Sequence, residues 1–307
     1  MSPDVFTAHR DLLVGVAYRL LGSMTDAEDV VQDAWLRWSG VDQEAVANPQ
    51  AYLITVTTRL AIDRMRRVRA RREAYVGPWL PEPVSTAPDA AEHAELADSV
   101  EIALLVVLET LSPLERAVFV LHEAFGLPLR DIAGIIGREP AATRQLARRA
   151  RDHIEQRRPR FEVDRARRRE MTERFLAACG TGDLHALTEL LATDVRLVSD
   201  GGGRAKAPLR VIHGVDKVAR FLNAVSTEAG VRAFLASLGE SPTLPLGVAV
   251  TDVNGAPAVV VSADGRPVTI LSLVVRDGLI DTVYLFANPE KLAAMSHRWR
   301  PGASEGA

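Results

Sequence analysis

Four prolines, Pro78, Pro81, Pro83 and Pro88, fall between residues 76 and 98, together with Gly77 and several alanines. Proline fixes φ and removes a backbone donor, so this interval suits neither a helix interior nor a central strand. An extended linker is expected, with separately folded bodies on either side. At about 3.3 Å per residue it could hold two small domains apart across a large partner. The surrounding stretch is acidic. No lysine or arginine occurs between Arg72 and Arg116, where Glu73, Glu82, Asp89, Glu92, Glu95, Asp98, Glu101, Glu109 and Glu115 all lie. A solvated spacer is the simplest reading, but Trp79-Leu80-Pro81-Glu82-Pro83 would then expose a tryptophan and a leucine.

Ahead of the linker, two helical patterns carry opposite charge. In residues 26 to 38, Asp26, Asp29 and Asp33 share one face with Gln32, while Val31, Trp35 and Trp38 repeat on another, the core side. Asn48-Pro49 opens the next helix, on which Leu53, Val56, Leu60, Ala61, Met65 and Val68 line one side. Arg59, Arg66, Arg67 and Arg69 line the other, with Asp63 among them. Taken singly, the first face reads as a solvated stripe and the second as a footprint for phosphates.

Beyond the linker, Val100 to Leu111 is apolar and Ser112-Pro113 with Glu115 starts a further helix. Leu129, Ile132, Ala133, Ile136, Gly137 and Leu146 fall where a helix-turn-helix needs its core residues and its turn glycine. In the helix from Pro140 to Ile154, Thr143, Leu146, Ala147, Ala150 and Ile154 form the inward face. Arg144, Gln145, Arg148, Arg149 and Arg151 project outward with small Ala141. A major-groove reader needs such a face, because arginine and glutamine make bidentate base contacts.

After an arginine-rich connection at 159 to 166, two short amphipathic helices flank Gly180-Thr181-Gly182-Asp183. Strand-prone segments follow at Val195–Ser199, Leu209–His213, Leu246–Val253, Ala258–Ser262, Pro267–Val275 and Ile280–Phe286. Their turn signals are Asn254-Gly255, Asp264-Gly265 and Asp277-Gly278, and a helix near Asp216 to Ser226 interrupts them. The expectation is helices followed by a meandering antiparallel sheet. His185, His213, Asp252, Asp264, Asp281 and Tyr284 are candidate acid-base groups, but no spacing among them defines a pair. The triple glycine at 201 to 203 reads as a tight turn needing positive φ, a site of close backbone approach, or both.

The first two bodies resemble domains 2 and 4 of an RNA polymerase sigma factor of the extracytoplasmic-function type. The likeness rests on Asp26-Ala27-Glu28-Asp29-Val30-Val31-Gln32-Asp33, on Ala61-Ile62-Asp63-Arg64-Met65-Arg66-Arg67, and on Leu111-Ser112-Pro113-Leu114-Glu115-Arg116-Ala117-Val118-Phe119 with the helix-turn-helix. The third body resembles the SnoaL-like, nuclear-transport-factor-like α+β cone. Together with Trp79-Leu80-Pro81-Glu82-Pro83, the runs Asp200-Gly201-Gly202-Gly203-Arg204 and Asn288-Pro289-Glu290-Lys291-Leu292 look like hallmarks of the sigma factors bearing that extension, the SigJ type. The fold class implied is multidomain, two all-α sigma domains plus an α+β cone. The domains expected are 1–75 (sigma domain 2), 76–98 (linker), 99–158 (sigma domain 4), 167–295 (cone) and 296–307 (tail).

The resemblance implies a promoter-specificity subunit of bacterial RNA polymerase that performs no chemistry and uses no cofactor or metal. Asp26, Asp29, Gln32 and Asp33 would face the beta-prime coiled coil of the core enzyme, and domain 4 would meet the beta flap. The loop from Ser39 to Gln50 and Arg59, Asp63, Arg66, Arg67 and Arg69 would engage the minus-10 element. Arg144, Gln145, Arg148, Arg149 and Arg151 would read the minus-35 element. Trp79, Leu80 and Pro81 would dock on the cone near Asp200, Gly201, Gly202, Gly203, Arg204, Asn288, Pro289, Lys291 and Leu292 as a regulatory contact. A separate anti-sigma factor is admitted but not required. The chain departs from many relatives at Thr58-Arg59 and at Glu139-Pro140-Ala141-Ala142, so no promoter sequence carries over. The alternative is a free-standing helix-turn-helix regulator with a ligand-sensing cone, which leaves the acidic helix and the linker unexplained.

Composition agrees with a cytoplasmic protein. The 307 residues carry 37 basic and 40 acidic side chains, one cysteine (Cys179), no signal peptide and no apolar run of membrane-spanning length.

Overall fold

The computed structural model describes residues 3–72, 75–86, 100–157 and 164–296. The chain divides into two compact units, Met1–Ala74 with Ala103–Arg158, and Tyr75–Ile102 with Pro159–Ala307. The linker expectation at 76–98 is thus described only to residue 86, and the tail expectation lies outside the described residues from 297 onward.

The first unit is helical. α1 (Pro3–Leu21), α2 (Met24–Ser39) and α3 (Pro49–Arg72) precede the linker; α4 (Ile102–Leu108), α5 (Pro113–Phe119), α6 (Leu129–Ile136) and α7 (Pro140–Arg157) follow it. Local chemistry sets these ends. Ser23 Oγ accepts from Asp26 N at 3.1 Å to start α2, and Asn48 Oδ1 accepts from Ala51 N at 3.0 Å to start α3. Ser112 and Glu115 form a capping box at α5, with Pro113 in the first turn. Gly137 ends α6 in the left-handed region at φ 63°, which a side chain would resist.

Burial of α2 differs from the sequence pattern in one respect. Ala27, Val30, Val31, Ala34 and Trp38 are buried, but Trp35 is 43% exposed. The buried arc is centred on the alanine side of Val31, which leaves Trp35 at its margin.

In the second unit, α8 (Arg165–Thr181) and α9 (Leu184–Leu190) lead into a six-stranded sheet. Its strands are β1 (Leu191–Asp200), β2 (Ile212–His213), β3 (Leu246–Val253), β4 (Ala256–Ala263), β5 (Arg266–Arg276) and β6 (Leu279–Phe286), in the order β2-β1-β6-β5-β4-β3. Between β2 and β3 lie α10 (Val215–Ser226) and α11 (Glu228–Ser237), and α12 (Pro289–Ser296) closes the fold. This is the α+β cone. Phe175, Leu187, Val218, Leu222, Ile280 and Val283 sit in its core between helices and sheet.

The turn signals behave as two-residue hairpin chemistry requires. Asn254, Asp264 and Asp277 have φ between 50° and 52°, and the glycine after each is also positive. Three expectations are corrected. The sheet is not antiparallel throughout, since β1 pairs with β6 in parallel; α10, α11 and the strands β3 to β5 intervene and carry the chain back beside β1. The second strand shrinks to Ile212–His213, its pairs limited to Arg196↔His213 and Leu197↔Ile212, while Leu209 is 58% exposed. Finally, α11 was not anticipated; Thr227 Oγ1 caps it by accepting from Gly230 N at 3.1 Å.

Candidate functional site

The acidic face of α2 is only partly available. Arg64 on α3 pairs with Asp26 and, at 3.2 Å, with Asp29. Gln32 and Asp33 are exposed, and Leu36, 55% exposed, follows Asp29 and Asp33 at helical spacing on the same side. Arg64 belongs to the sigma-like line in the sequence but is not among the expected site residues; its signal is an arginine set among the apolar positions Leu60, Ala61 and Val68 at helical spacing.

On the basic face of α3, Arg59, Asp63, Arg66 and Arg67 are exposed, and the Arg69 side chain lies outside the described residues. Arg66 pairs with Asp63 at 3.2 Å, and Arg67 Nε donates to Asp63 O at 3.3 Å. Arg59 is engaged elsewhere. Its Nε donates to Ile135 O at 2.9 Å and its Nη2 to Gly134 O at 3.1 Å. These carbonyls belong to the last turn of α6, where a cation is favoured.

The recognition-type helix α7 buries Thr143, Leu146, Ala147, Ala150 and Ile154. Its outward residues are not equivalent. Arg149 pairs with Glu115 at 3.2 Å, Arg151 with Glu123 at 2.6 Å and Arg148 with Asp152 at 3.8 Å. Arg144 and Gln145 are exposed, and Arg144 makes no ion pair among the described residues.

In the second unit, the linker is seated on the cone. Residues 80 to 86 are buried, and Asp200, with no solvent exposure, is the centre of the contact. Its Oδ1 accepts from Tyr75 OH at 2.5 Å and Gly202 N at 3.2 Å. Its Oδ2 accepts from Leu80 N at 2.9 Å and Lys291 Nζ at 2.6 Å. The Lys291 ammonium also donates to Leu80 O and lies 3.9 Å from the centre of the Trp79 ring. Asn288 Nδ2 donates to Tyr75 OH at 2.8 Å, and Asn288 Oδ1 caps α12 through Glu290 N at 3.0 Å. Burial, followed by the Asp200 hydrogen bond, raises the Tyr75 phenol above its ordinary range, so it stays an O–H donor. Tyr75 was not among the sequence candidates, since a lone tyrosine at a domain edge carries no pattern.

The glycine run serves both of its expected purposes. Gly202 has φ 63°, and a Cβ there would lie 2.6 Å from Asn288 Cγ. Arg204 pairs with Glu290 at 2.9 Å on the surface, while Pro81 is buried and Leu292 is 2% exposed. Pro289 opens α12.

A second holding point is the β3–β4 corner. Ser85 bridges Val253 in antiparallel fashion, with Asn254 N donating to Val84 O and Thr86 N to Asp252 O, each at 2.9 Å. The Asn254 side chain accepts from Val84 N at 2.9 Å and donates to Val100 O at 3.3 Å. The Asp252 carboxylate pairs with Arg165 at 2.8 Å and Arg169 at 3.3 Å, and Arg168 holds Glu101 at 2.7 Å. Asn254 had been legible only as a turn residue, and Asp252 only as an acid-base candidate.

The other acid-base candidates are also occupied or peripheral. Asp281 pairs with Arg276 at 2.6 Å, His185 with Glu189 at 3.4 Å on the surface, and Asp264 forms a turn. The Tyr284 phenol is pushed up to about 12 by burial. His213 is exposed. No described helix is long and apolar enough to cross a membrane.

Comparison with known proteins gives concordant matches. Residues 5–72 match the Sigma-70 region 2 family and residues 101–154 the Sigma-70 region 4 family. The chain is 38% identical to the ECF RNA polymerase sigma factor SigJ of Mycobacterium tuberculosis, over 95% of this chain and 93% of that protein. It is 34% identical to the probable ECF RNA polymerase sigma factor SigI of the same species, over 93% of this chain and 92% of that protein. The crystal structure of M. tuberculosis SigJ superposes with a TM-score of 0.74 at 37% identity, covering 94% of this chain and 97% of that one.

Proposed function

The chain belongs to the extracytoplasmic-function RNA polymerase sigma factors, and from that premise we propose how its residues divide the work. It directs bacterial RNA polymerase core to particular promoters, and the cone regulates that activity through the linker. Asp29, Gln32 and Asp33, with Leu36 beside them, form the core-binding face; Asp26 chiefly holds Arg64 in place. Arg144 and Gln145 read minus-35 base edges, whereas Arg148, Arg149 and Arg151, already paired with carboxylates, position phosphates. Arg66, Arg67 and Arg69 and the loop from Ser39 to Gln50 serve the minus-10 element. Arg59 must first leave the α6 carbonyls to join them.

The observation that carries this reading is α7: a buried inward face behind an exposed arginine-glutamine pair, within a segment matching Sigma-70 region 4. The test is reconstitution with core polymerase followed by promoter selection from a randomised pool. Enrichment of a bipartite motif only in the presence of core is the expected result. Specific DNA binding without any association with core would overturn the reading.

A further inference from the structure

The concave face of the sheet, with α8, α10 and α11, surrounds a partly open cavity of about 640 Å³. That volume is in the range of small-molecule sites. Its wall is hydrocarbon, with Phe175, Phe221, Phe234, Val261 and Leu271 from helices and sheet alike. The polar side chains that border it are already committed. Ser226 Oγ donates to Leu222 O at 2.9 Å, and Thr269 Oγ1 donates to Phe286 O at 2.8 Å. Burial pushes the Cys179 thiol up to about 11, so it is neutral at ordinary pH. A polar ligand body would surrender its bonds to water here and regain few.

Lys206 is the exception. Among the described residues it is the one charged residue of the wall, and it is exposed and makes no ion pair with any of them. Ser237 Oγ fixes its backbone by accepting from Lys206 N at 2.9 Å.

We propose that the cone is a binding site for an amphiphilic monocarboxylate, its hydrocarbon body in this cavity and its carboxylate at Lys206. The site is continuous with the linker contact. The segment that ends in Lys206, Ala207 and Pro208 begins at Asp200, and it is stiff. Ala205 N donates to Gly201 O at 3.1 Å, Ser199 Oγ donates to Pro208 O at 2.6 Å, and a Cβ on Gly201 would lie 2.9 Å from Ala207 Cβ. An occupant pressing on Ala207 and Pro208 therefore bears on the turn whose other end grips Leu80 and Tyr75. The binding site stands on the cavity alone; its effect on transcription rests on the function proposed above.

Calorimetric titration of the full chain with dodecanoate, and with dodecanol as the uncharged control, tests the site. Both should bind at one site, dodecanoate about tenfold more tightly, and Lys206→Ala should erase that difference while leaving dodecanol unchanged. Val261→Trp, which fills the cavity, should abolish both. Should that variant fold poorly, protection of Cys179 from alkylation by dodecanoate in the unmodified protein supplies the second readout. Absence of binding by both ligands, binding unaffected by a folded Val261→Trp protein, or no protection of Cys179 overturns the site. Equal affinity for acid and alcohol overturns the carboxylate assignment. Holoenzyme transcription with and without dodecanoate is read separately: no change there, with binding intact, refutes the coupling and leaves the site and the sigma activity standing.

Discussion

At Asp200 a fully buried carboxylate receives four hydrogen bonds, one from Leu80 of the linker and one from Tyr75 just ahead of it. Asp200→Asn keeps the shape but removes the charge that Lys291 faces, and breaking one side of a buried ion pair costs on the order of 3–5 kcal/mol. The amide of Leu80, which donates to Asp200, should then exchange with deuterium far faster; unchanged protection would mean that the pair does not hold the linker. A different titration belongs to Cys179, whose thiol is raised from 9.0 to about 11, by burial first and against a hydrogen bond with Ser226. The folded chain holds this proton where the unfolded chain has released it. Stability from this group is therefore complete below about pH 9 and lost as pH rises toward 11, a loss of roughly 2–3 kcal/mol. Comparing pH-dependent unfolding of the natural chain with Cys179→Ala should show the alkaline loss shrink by that amount.

The helices α2 and α7 each divide into residues held from within and residues left outward, and substitutions should separate the two groups. Asp33→Arg should abolish association with core polymerase while leaving the melting temperature nearly unchanged, because exposed carboxylates contribute little to stability. Asp26→Arg should also destabilise the fold, since it faces Arg64; calorimetry and core pull-down on both variants check this. On α7, Arg144→Ala or Gln145→Ala should change discrimination at particular minus-35 base pairs by about 1–3 kcal/mol, whereas Arg149→Ala should weaken all sequences alike. A base-substitution series distinguishes them. Helical spacing alone sorted the inward residues Thr143, Leu146, Ala147, Ala150 and Ile154 from the outward ones, because periodicity encodes burial directly. It could not tell Arg149 from Arg144, since Glu115 meets Arg149 only in the folded chain. The parallel β1–β6 pairing was illegible for a similar reason: strand patterns carry no direction.

Across the whole molecule, the two hallmark runs of the cone and the linker meet in one network, so their effects should not be independent. Trp79→Ala removes the ring beneath Lys291, and Gly202→Ala drives a Cβ into Asn288. Each should alter promoter-dependent transcription in the same direction, and the double variant should fall short of additivity; full additivity in a run-off assay would separate the two contacts. The Asn254 corner has a metric consequence. One side-chain amide holds both Val84 and Val100, so the chain between them contributes nothing to the span between the two sigma domains. What remains, residues 75–84 and 100–102, extends to about 43 Å, whereas the full stretch from 75 to 102 extends to about 92 Å. Opening the corner therefore releases about 49 Å of additional contour to the tether. Asn254→Ala removes both bonds of this take-up reel and should widen the range of promoter spacer lengths transcribed in a run-off assay; an unchanged range would mean that the corner does not limit the tether.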